Sequence, residues 1–181
     1  MPTAEQAMLH LPTGVGESIL VMSDLVTVKI RGQDSGGAFV VTEVSTPPQS
    51  GPPGLHRHPD QETFYVLEGT YRFDTLQGER RSSFEATRGS VVHIPSMVWH
   101  NYKNIGQVPG KVLVVLQPGN MLDFFRDLGI VVSDTSSIPQ PAAPPNIQRV
   151  TAIVRKHSVE IWKGPADVNR TEQSQYEPVD G

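Results

Sequence analysis

The chain of 181 residues contains no cysteine. This absence excludes disulfide bonds, a thiolate nucleophile and zinc held by thiolates. The strong metal ligands that remain are histidine nitrogens and carboxylate oxygens, and the chain has 6 histidines and 19 acidic residues. Any metal that this protein binds is therefore expected to be held by nitrogen and oxygen atoms.

The chain also lacks a long apolar run and a block of like charges. No segment approaches the roughly 18 apolar residues of a membrane span, and the first residues, MPTAEQAMLHLPTG, have neither the basic region nor the apolar region of a secretory signal. The formal net charge is −4, with both signs spread along the chain. We therefore expect a cytoplasmic protein that binds neither nucleic acid nor membranes.

Short strand-like segments are the dominant pattern that is present. Glycine and proline contribute 16 residues each, and Val- and Ile-rich segments alternate with turn residues. Between Ile19 and Thr46 the segments ILVM, LVTVKI and AFVVTEV predict two or three strands, separated by turns at SD and RGQDSGG. Similar segments continue as far as KVLVVLQPG, and short strands at this spacing predict a sandwich or a barrel.

The predicted organisation is one domain with extensions. Residues 1–18 form an N-terminal arm, and residues 19–118 form the β-barrel. Residues 119–164 form a C-terminal helical extension that contains a Pro-rich linker at 134–145. The polar segment 165–181 is expected to be a flexible tail.

Two helices are predicted within the C-terminal extension. Asn120 can cap a helix over MLDFFRDL, and Gly129 can end it. A second, amphipathic helix is indicated by apolar residues at helical spacing after a cap at Asn146. These apolar residues are Ile147, Val150, Ile153 and Val154.

Residues 54–69, GLHRHPDQETFYVLEG, place two histidines and a glutamate at even positions of a strand-like segment. Side chains of an extended chain alternate between faces with a period of two residues, so His56, His58 and Glu62 project to the same side. A further histidine, His100, follows in GSVVHIPSMVWHN. This pattern indicates a metal-binding face.

These residues resemble the two sequence motifs of the cupin family. The first motif, G-x5-H-x-H-x3,4-E-x6-G, is matched at His56, His58, Glu62 and Gly69. Gly51 lies one position from its expected leading glycine. The second motif, G-x5-P-x-G-x2-H-x3-N, is matched at Gly89, Pro95, His100 and Asn104, and Met97 replaces its usual second glycine.

The resemblance covers residues 35–117, and it implies an all-β fold: a small antiparallel β-barrel or jelly roll, here followed by short C-terminal α-helices. The C-terminal segments are similar to the tails of bacterial single-domain cupins of the quercetin dioxygenase type. The resemblance further implies that the barrel binds one divalent metal through His56, His58, Glu62 and His100.

Three histidines and one carboxylate suit a divalent transition metal: iron, manganese, nickel, cobalt, copper or zinc. In a six-coordinate site they leave two positions open, at which water, dioxygen or a substrate can bind. Met97 stands where glycine would permit a positive φ. We therefore expect a changed turn geometry or backbone strain before His100.

Strand alternation and nearness to the barrel mouth also predict a substrate pocket. Its expected residues are apolar or aromatic: Phe64, Val66, Tyr71, Phe73, Met97, Val98, Tyr102, Phe124 and Phe125. A role in the barrel core is the alternative for each of them. Apart from Lys103 and Lys111, which stay open as exceptions, no arginine or lysine is expected at an inward position beside the ligands, and this favours an uncharged substrate over a phosphorylated one.

These features favour a metal-dependent dioxygenase, similar to quercetinases, that acts on an aromatic or enolic small molecule with dioxygen. Glu62 is then the catalytic residue, as a metal ligand, as a base, or as both. Two alternatives stay open: an isomerase, lyase or cyclase on the same fold, and a non-catalytic barrel that binds a small molecule. Small cupin barrels commonly pair through strands, so the resemblance implies a homodimer, for which the N-terminal β region is expected to supply an edge strand.

Overall fold

The computed structural model describes residues 8–140 and 144–164. Its strands and helices, in chain order, are β1 (Glu17–Val21), β2 (Asp24–Ile30), β3 (Val40–Thr46), β4 (His56–Arg57), β5 (Gln61–Glu68), β6 (Thr70–Gln77), β7 (Arg80–Thr87), β8 (Val91–Ile94), β9 (Trp99–Asn104), β10 (Gly110–Gln117), α1 (Met121–Leu128), β11 (Ile130–Val132), α2 (Ile147–Lys156) and β12 (Glu160–Ile161). A short 3-10 helix at Gly32–Ser35 connects β2 to β3. None of the described helices is long and apolar enough to cross a membrane.

The strands form two antiparallel sheets. The larger sheet has seven strands in the order β11-β1-β2-β3-β10-β5-β8, and the smaller has five in the order β12-β4-β9-β6-β7. Within the larger sheet Phe64 of β5 lies opposite Val114 of β10 and Val92 of β8. This arrangement confirms the predicted all-β barrel or jelly roll with short C-terminal helices.

The core lies between the inner faces of the two sheets. Along β5 burial alternates with a period of two, so that Glu62, Phe64 and Val66 are buried, as strand alternation predicts. The smaller sheet contributes Tyr71 and Phe73, which are 0% and 2% exposed. The rings of Phe64 and Phe73 meet edge to face with centroids 5.3 Å apart, which joins the two sheets through apolar contact.

The ends of the chain differ in part from the prediction. β1 begins at Glu17, inside the segment that the sequence assigns to the N-terminal arm. The predicted SD turn is also displaced, because Asp24 is the first residue of β2 and is buried. Both expected helices are present, but the C-terminal extension also adds two strands: β11 pairs with β1, and β12 pairs with β4.

The Pro-rich linker is only partly described. Residues 134–140 and 144–146 contain neither helix nor strand, as expected for a Pro-rich connector. Residues 1–7 of the predicted arm, residues 141–143 of the linker and the predicted tail at 165–181 lie outside the described residues.

The N-terminus of α1 is capped by Asp60, and the predicted cap at Asn120 is wrong. The side chain of Asn120 makes no capping bond to the helix backbone. Instead, Asp60 Oδ2 accepts hydrogen bonds from the backbone amides of Gly119 and Met121, at 2.9 and 3.0 Å. Asn120 Nδ2 donates to Asp60 Oδ1 at 3.2 Å. A buried carboxylate here satisfies free amides and complements the helix dipole, and it ties α1 to the turn before β5.

We expect Asp60→Ala to lower the free energy of unfolding by about 1–3 kcal/mol, because buried amides lose their acceptor. Asn120→Ala, the matched control, should cost less than about 1 kcal/mol, since it removes only one bond to Asp60. Urea unfolding of both variants in the presence of a chelator measures the difference. Equal losses in the two variants would contradict the assignment of Asp60 as the cap.

Candidate metal centre and cavity

Three elements bring the three histidines together. β4 and β9 are paired with His56 opposite His100, and His58 lies in the turn that leads from β4 to β5. The ring centroid of His100 is 4.4 Å from that of His56 and 5.1 Å from that of His58. The potential ligand atoms of the three residues all lie within 4.8 Å of one another.

Backbone carbonyls orient two of the rings. Gly54 O accepts a hydrogen bond from His56 Nδ1 at 3.0 Å, and Val98 O accepts one from His100 Nδ1 at 2.8 Å. With its proton on Nδ1, each ring keeps the lone pair of Nε2 for a ligand. Nε2 of His100 and both ring nitrogens of His58 are buried without a hydrogen-bond partner. Such atoms are costly unless a ligand satisfies them, and a metal ion would do so.

Glu62 supplies the carboxylate of the group. It is 6% exposed, and its Oε1 lies 3.4 Å from His58 Nε2 while its Oε2 lies 3.5 Å from His100 Nε2. Both distances exceed those of good hydrogen bonds. The donor set of three imidazoles and one carboxylate therefore fits a divalent transition metal bound among them.

The pKa shifts of His56 and Glu62 also suit metal binding, whereas at His58 a metal would have to displace a proton that Glu62 favours. Burial, aided by nearby His100, lowers the pKa of His56 to about 4, so that this ring is neutral at pH 7. Burial opposes the charge of Glu62, but attraction to His100 and His58 outweighs it and holds the pKa of the carboxyl well below its usual range. Burial likewise opposes a charge on His58, whose pKa is nevertheless raised by Glu62. Neutral imidazole and ionised carboxylate are the forms that bind a metal.

The two departures from the motif have different structural outcomes. Met97 adopts a φ of 61°, so it accepts the left-handed conformation that glycine would take more easily. Its backbone amide donates to His58 O at 2.9 Å, which fixes the turn beside the metal group. Gly51 has a φ of 154°, and a Cβ atom there would lie 2.4 Å from Tyr102 O. The displaced glycine therefore still permits close contact with β9.

Beside the metal group lies a cavity of about 140 Å³, lined mainly by apolar side chains. His56 and Glu62 form part of its wall. The predicted pocket residues Phe64, Tyr102, Phe124 and Phe125 line it as well. Within the described chain, no arginine or lysine lines this cavity, in agreement with the pattern of the sequence.

The other predicted pocket residues lie elsewhere. Val66, Tyr71 and Phe73 are buried in the barrel core and are not part of the cavity wall. Val98 is half-buried and packs against this core. Met97 is 38% exposed at the surface. Strand parity identifies inward side chains, but it does not distinguish packed core from cavity.

The C-terminal extension closes the cavity with residues that the sequence did not indicate. Val150 and Val154 of α2, together with Val159 and Ile161, line it. The α2 segment is held to α1 by Asp127, whose Oδ2 lies 2.6 Å from both Lys156 Nζ and His157 Nε2. Helical periodicity marks Val150 and Val154 as apolar, but it does not say what they cover.

Two buried polar residues of the wall were also missed. Asp24 and Thr42 line the cavity and are 5% and 0% exposed. They lie on β2 and β3, far in sequence from the motifs, and a lone aspartate beside a predicted turn is a common surface residue. No sequence signal distinguishes Asp24 from an exposed turn residue.

Comparison with known proteins shows that the barrel is similar to the cupin domain. The family model for the cupin domain matches residues 42–116. An uncharacterised protein of Methanocaldococcus jannaschii is 38% identical to this chain over 65 residues, which are 35% of this chain and 49% of that protein. The chain thus spans about half the length of this curated relative.

Two solved structures resemble the fold. The polyketide cyclase RemF from Streptomyces resistomycificus aligns with a TM-score of 0.54 and 20% identity, over 62% of this chain and 80% of that chain. A predicted oxalate decarboxylase from Thermotoga maritima aligns with a TM-score of 0.52 and 18% identity, over 61% of this chain and 98% of that chain. At these identities the similarity shows the fold alone.

Proposed function

Because residues 42–116 match the cupin domain model, we propose that the protein is a metal-dependent dioxygenase acting on an uncharged aromatic or enolic small molecule. The observation that carries this proposal is the convergence of His56, His58 and His100 beside an apolar cavity. A substrate in the cavity would lie next to the metal group, because His56 and Glu62 belong to both.

His56, His58, His100 and Glu62 would hold the metal. A bound divalent ion would supply Lewis acidity and, if it is redox-active, a route for electrons between substrate and dioxygen. The residues have separate tasks. The carbonyls of Gly54 and Val98 keep two imidazoles in the tautomer that exposes Nε2. His56 and Glu62 would bring a bound ion next to the cavity, because both line its wall.

Glu62 would accept the proton of the substrate hydroxyl. Its carboxyl is buried and ionised, and its oxygens face the imidazoles at 3.4 and 3.5 Å. A carboxylate in this position can bind the cation or take a proton from an enol or phenol that reaches the group. Deprotonation leaves the substrate electron-rich, which is the form that reacts with dioxygen.

The rest of the cavity would exclude water and select the substrate. Its volume of about 140 Å³ is similar to that of engineered cavities that bind one benzene ring. Phe64, Phe124 and Phe125 offer aromatic surface, and no described cation is present in the wall to hold a phosphate or carboxylate. The α2 segment and β12 complete the wall, so the C-terminal extension would separate the reaction from solvent.

An oxygen electrode tests the proposal. Protein loaded separately with iron(II), manganese(II) or nickel(II) is mixed with kojic acid, a single-ring enol, and with the larger flavonols quercetin and 3-hydroxyflavone. We expect uptake of one dioxygen per substrate and a decrease of about 100-fold or more in Glu62→Gln. His93→Ala, an exposed histidine outside the group, should leave the rate unchanged. Turnover without oxygen uptake would favour an isomerase, lyase or cyclase, and binding without turnover would favour a non-catalytic barrel.

We also propose a homodimer, but not through the N-terminal β region that the sequence suggests as an edge. In the structure β11 covers β1 and forms the edge of the larger sheet itself. This edge exposes Ile130 and Val131, at 65% and 69%. An uncovered apolar edge strand is suited to pairing with a second copy. The cytoplasmic location stays a prediction.

A further inference from the structure

We propose that Asp24 is a second recognition point in the cavity, where it binds a hydroxyl group of the substrate remote from the metal. This inference rests on the proposed function, because it concerns the substrate of the same cavity. It assigns the substrate a class: an apolar, ring-sized molecule with a metal-binding enol or phenol and a further hydroxyl group.

The first argument is the unused oxygen of Asp24. Its Oδ2 accepts a hydrogen bond from the hydroxyl of Tyr102 at 2.6 Å. Its Oδ1 is buried and accepts no hydrogen bond of standard geometry among the described residues, although the hydroxyls of Thr46 and Ser23 lie near the carboxylate. A buried carboxylate oxygen without a donor is costly, and the cavity wall is the place where a ligand can provide that donor.

The second argument is the neighbouring orphan hydroxyl. Thr42 also lines the cavity, and its Oγ1 is buried without a partner in the described part of the chain. Much of the remaining wall is aliphatic or aromatic, with Val26, Val44 and Val114 on the same sheet. A few polar groups in an apolar wall are the usual means by which a cavity orients a small molecule.

The charge of Asp24 is not balanced within the cavity. Its close partner, Tyr102, is neutral, and burial raises the pKa of the Asp24 carboxyl to about 6. No described lysine or arginine lines the wall. The group is therefore either a buried anion or a protonated acid near neutral pH, and in both states its free oxygen is suited to a hydroxyl.

Tyr102 connects this point to the metal group. It follows His100 by two residues on β9, a separation of about 7 Å along the strand. Its ring packs against Phe64 with centroids 5.3 Å apart, and its hydroxyl is committed to Asp24. The aspartate and the metal group therefore face one cavity from different positions, which requires a substrate with two separated polar groups.

Asp24 lies outside the part of the chain that matches the cupin domain model. It lies on β2, whereas the matched residues are 42–116. The wall segments of α1 and α2 lie outside that range as well. Substrate selection would then depend in part on segments outside the matched residues.

Two matched pairs of metal-binding probes test the inference. Kojic acid and allomaltol are hydroxypyranones that differ only in a hydroxyl group remote from the chelating enol. The longer pair, 3,4′-dihydroxyflavone and 3-hydroxyflavone, differs in the same way. Dissociation constants are measured by calorimetry or absorbance on cobalt(II)-loaded protein. In at least one pair we expect the wild type to bind the hydroxylated member about tenfold more tightly, the usual effect of a hydrogen bond to a carboxylate.

In Asp24→Ala the two members of the pair should bind with about equal dissociation constants. The affinity for the member without the hydroxyl should change by less than about twofold. Asp24→Asn, which preserves the shape of the side chain, should also weaken the preference if the alanine variant does not fold. Asp74→Asn is the matched control: it neutralises a buried aspartate outside the cavity wall and should preserve the preference.

The outcomes separate the two proposals. Metal-dependent binding without any preference in either pair, or a preference that survives both Asp24 variants, overturns the inference and leaves the proposed function standing. Failure of all four probes to bind the metal-loaded wild type counts against the proposed substrate class and the inference together. A preference that is lost equally in the Asp74 control would also overturn the role of Asp24.

Discussion

Replacing His100 by alanine will lower the affinity of the protein for cobalt(II) by about 100-fold or more. The expected size follows from the loss of a direct ligand, since even residues that only orient a ligand typically contribute 10- to 100-fold, roughly, to metal affinity. His100 is central to the group: its ring lies 4.4 Å from that of His56 and 5.1 Å from that of His58. Its Nε2 has no other partner in the described structure.

Elemental analysis of protein purified without chelators, together with calorimetric titration of the metal-free protein, measures this effect. The wild type should bind one equivalent. His93→Ala is the matched control, because His93 is exposed and its Nδ1 lies 3.0 Å from Thr63 Oγ1, outside the group. A wild type that binds no divalent metal, or a His100→Ala variant with wild-type affinity, would refute the metal centre.

Metal binding should also appear as stability. At a free metal concentration of 100 times the dissociation constant, the free energy of unfolding of the wild type should rise by about 2.7 kcal/mol. The same concentration should stabilise His100→Ala by much less. Thermal melting with and without metal therefore gives an independent reading of the same site.

Replacing Asp24 by asparagine will change the free energy of unfolding of the metal-free protein in a pH-dependent way. The difference between variant and wild type should favour the variant by about 2–3 kcal/mol more at pH 8 than at pH 4. Burial raises the pKa of this carboxyl from its usual 3.8 to about 6 in the folded protein. Below pH 4 this carboxyl is protonated in both the folded and the unfolded chain, so its titration does not lower the free energy of unfolding. Between pH 4 and 6 the unfolded chain loses the proton first, and stability falls with rising pH. Above pH 6 the folded protein contains the buried, ionised carboxylate, and the full loss of stability remains. Asparagine has no charge and avoids this loss.

Urea unfolding of the wild type and Asp24→Asn at pH 4, 6 and 8, with a chelator present, measures the difference. Titration of the other groups is common to both proteins and cancels in the comparison. Asp74→Asn serves as the control, because Asp74 lies 3.2 Å from Arg72 and has a charged partner. A difference that is constant across this range, or that favours the wild type more as the pH rises, would contradict the burial argument.

The two Asp24 experiments address one question from two directions. A carboxyl that is buried with one oxygen unpaired lowers stability at neutral pH. Sites that bind ligands often retain such unfavourable groups. If Asp24→Asn is more stable and also loses the preference for hydroxylated probes, the instability and the recognition have the same origin.

The sequence alone determined the metal face and the main elements. The spacing of His56, His58 and Glu62 identifies the ligands in the sequence, but the expected single extended strand is wrong, because the chain turns between β4 and β5 and these strands lie in different sheets. The amphipathic pattern beginning at Ile147 likewise predicts α2, and its cap at Asn146 is present. Period and spacing are local properties, and local properties can be read from a single chain.

Only the tertiary structure decided which residues cap, close and line the cavity. Asp60 caps a helix about 60 residues away, and α2 covers the cavity after a long linker. Asp24 looks like an ordinary turn residue until the partner strands bury it and bring Tyr102 to its carboxylate. Val66 and Phe64 share strand parity, yet only Phe64 reaches the cavity. These outcomes depend on contacts between segments distant in sequence, and no period within one segment encodes them.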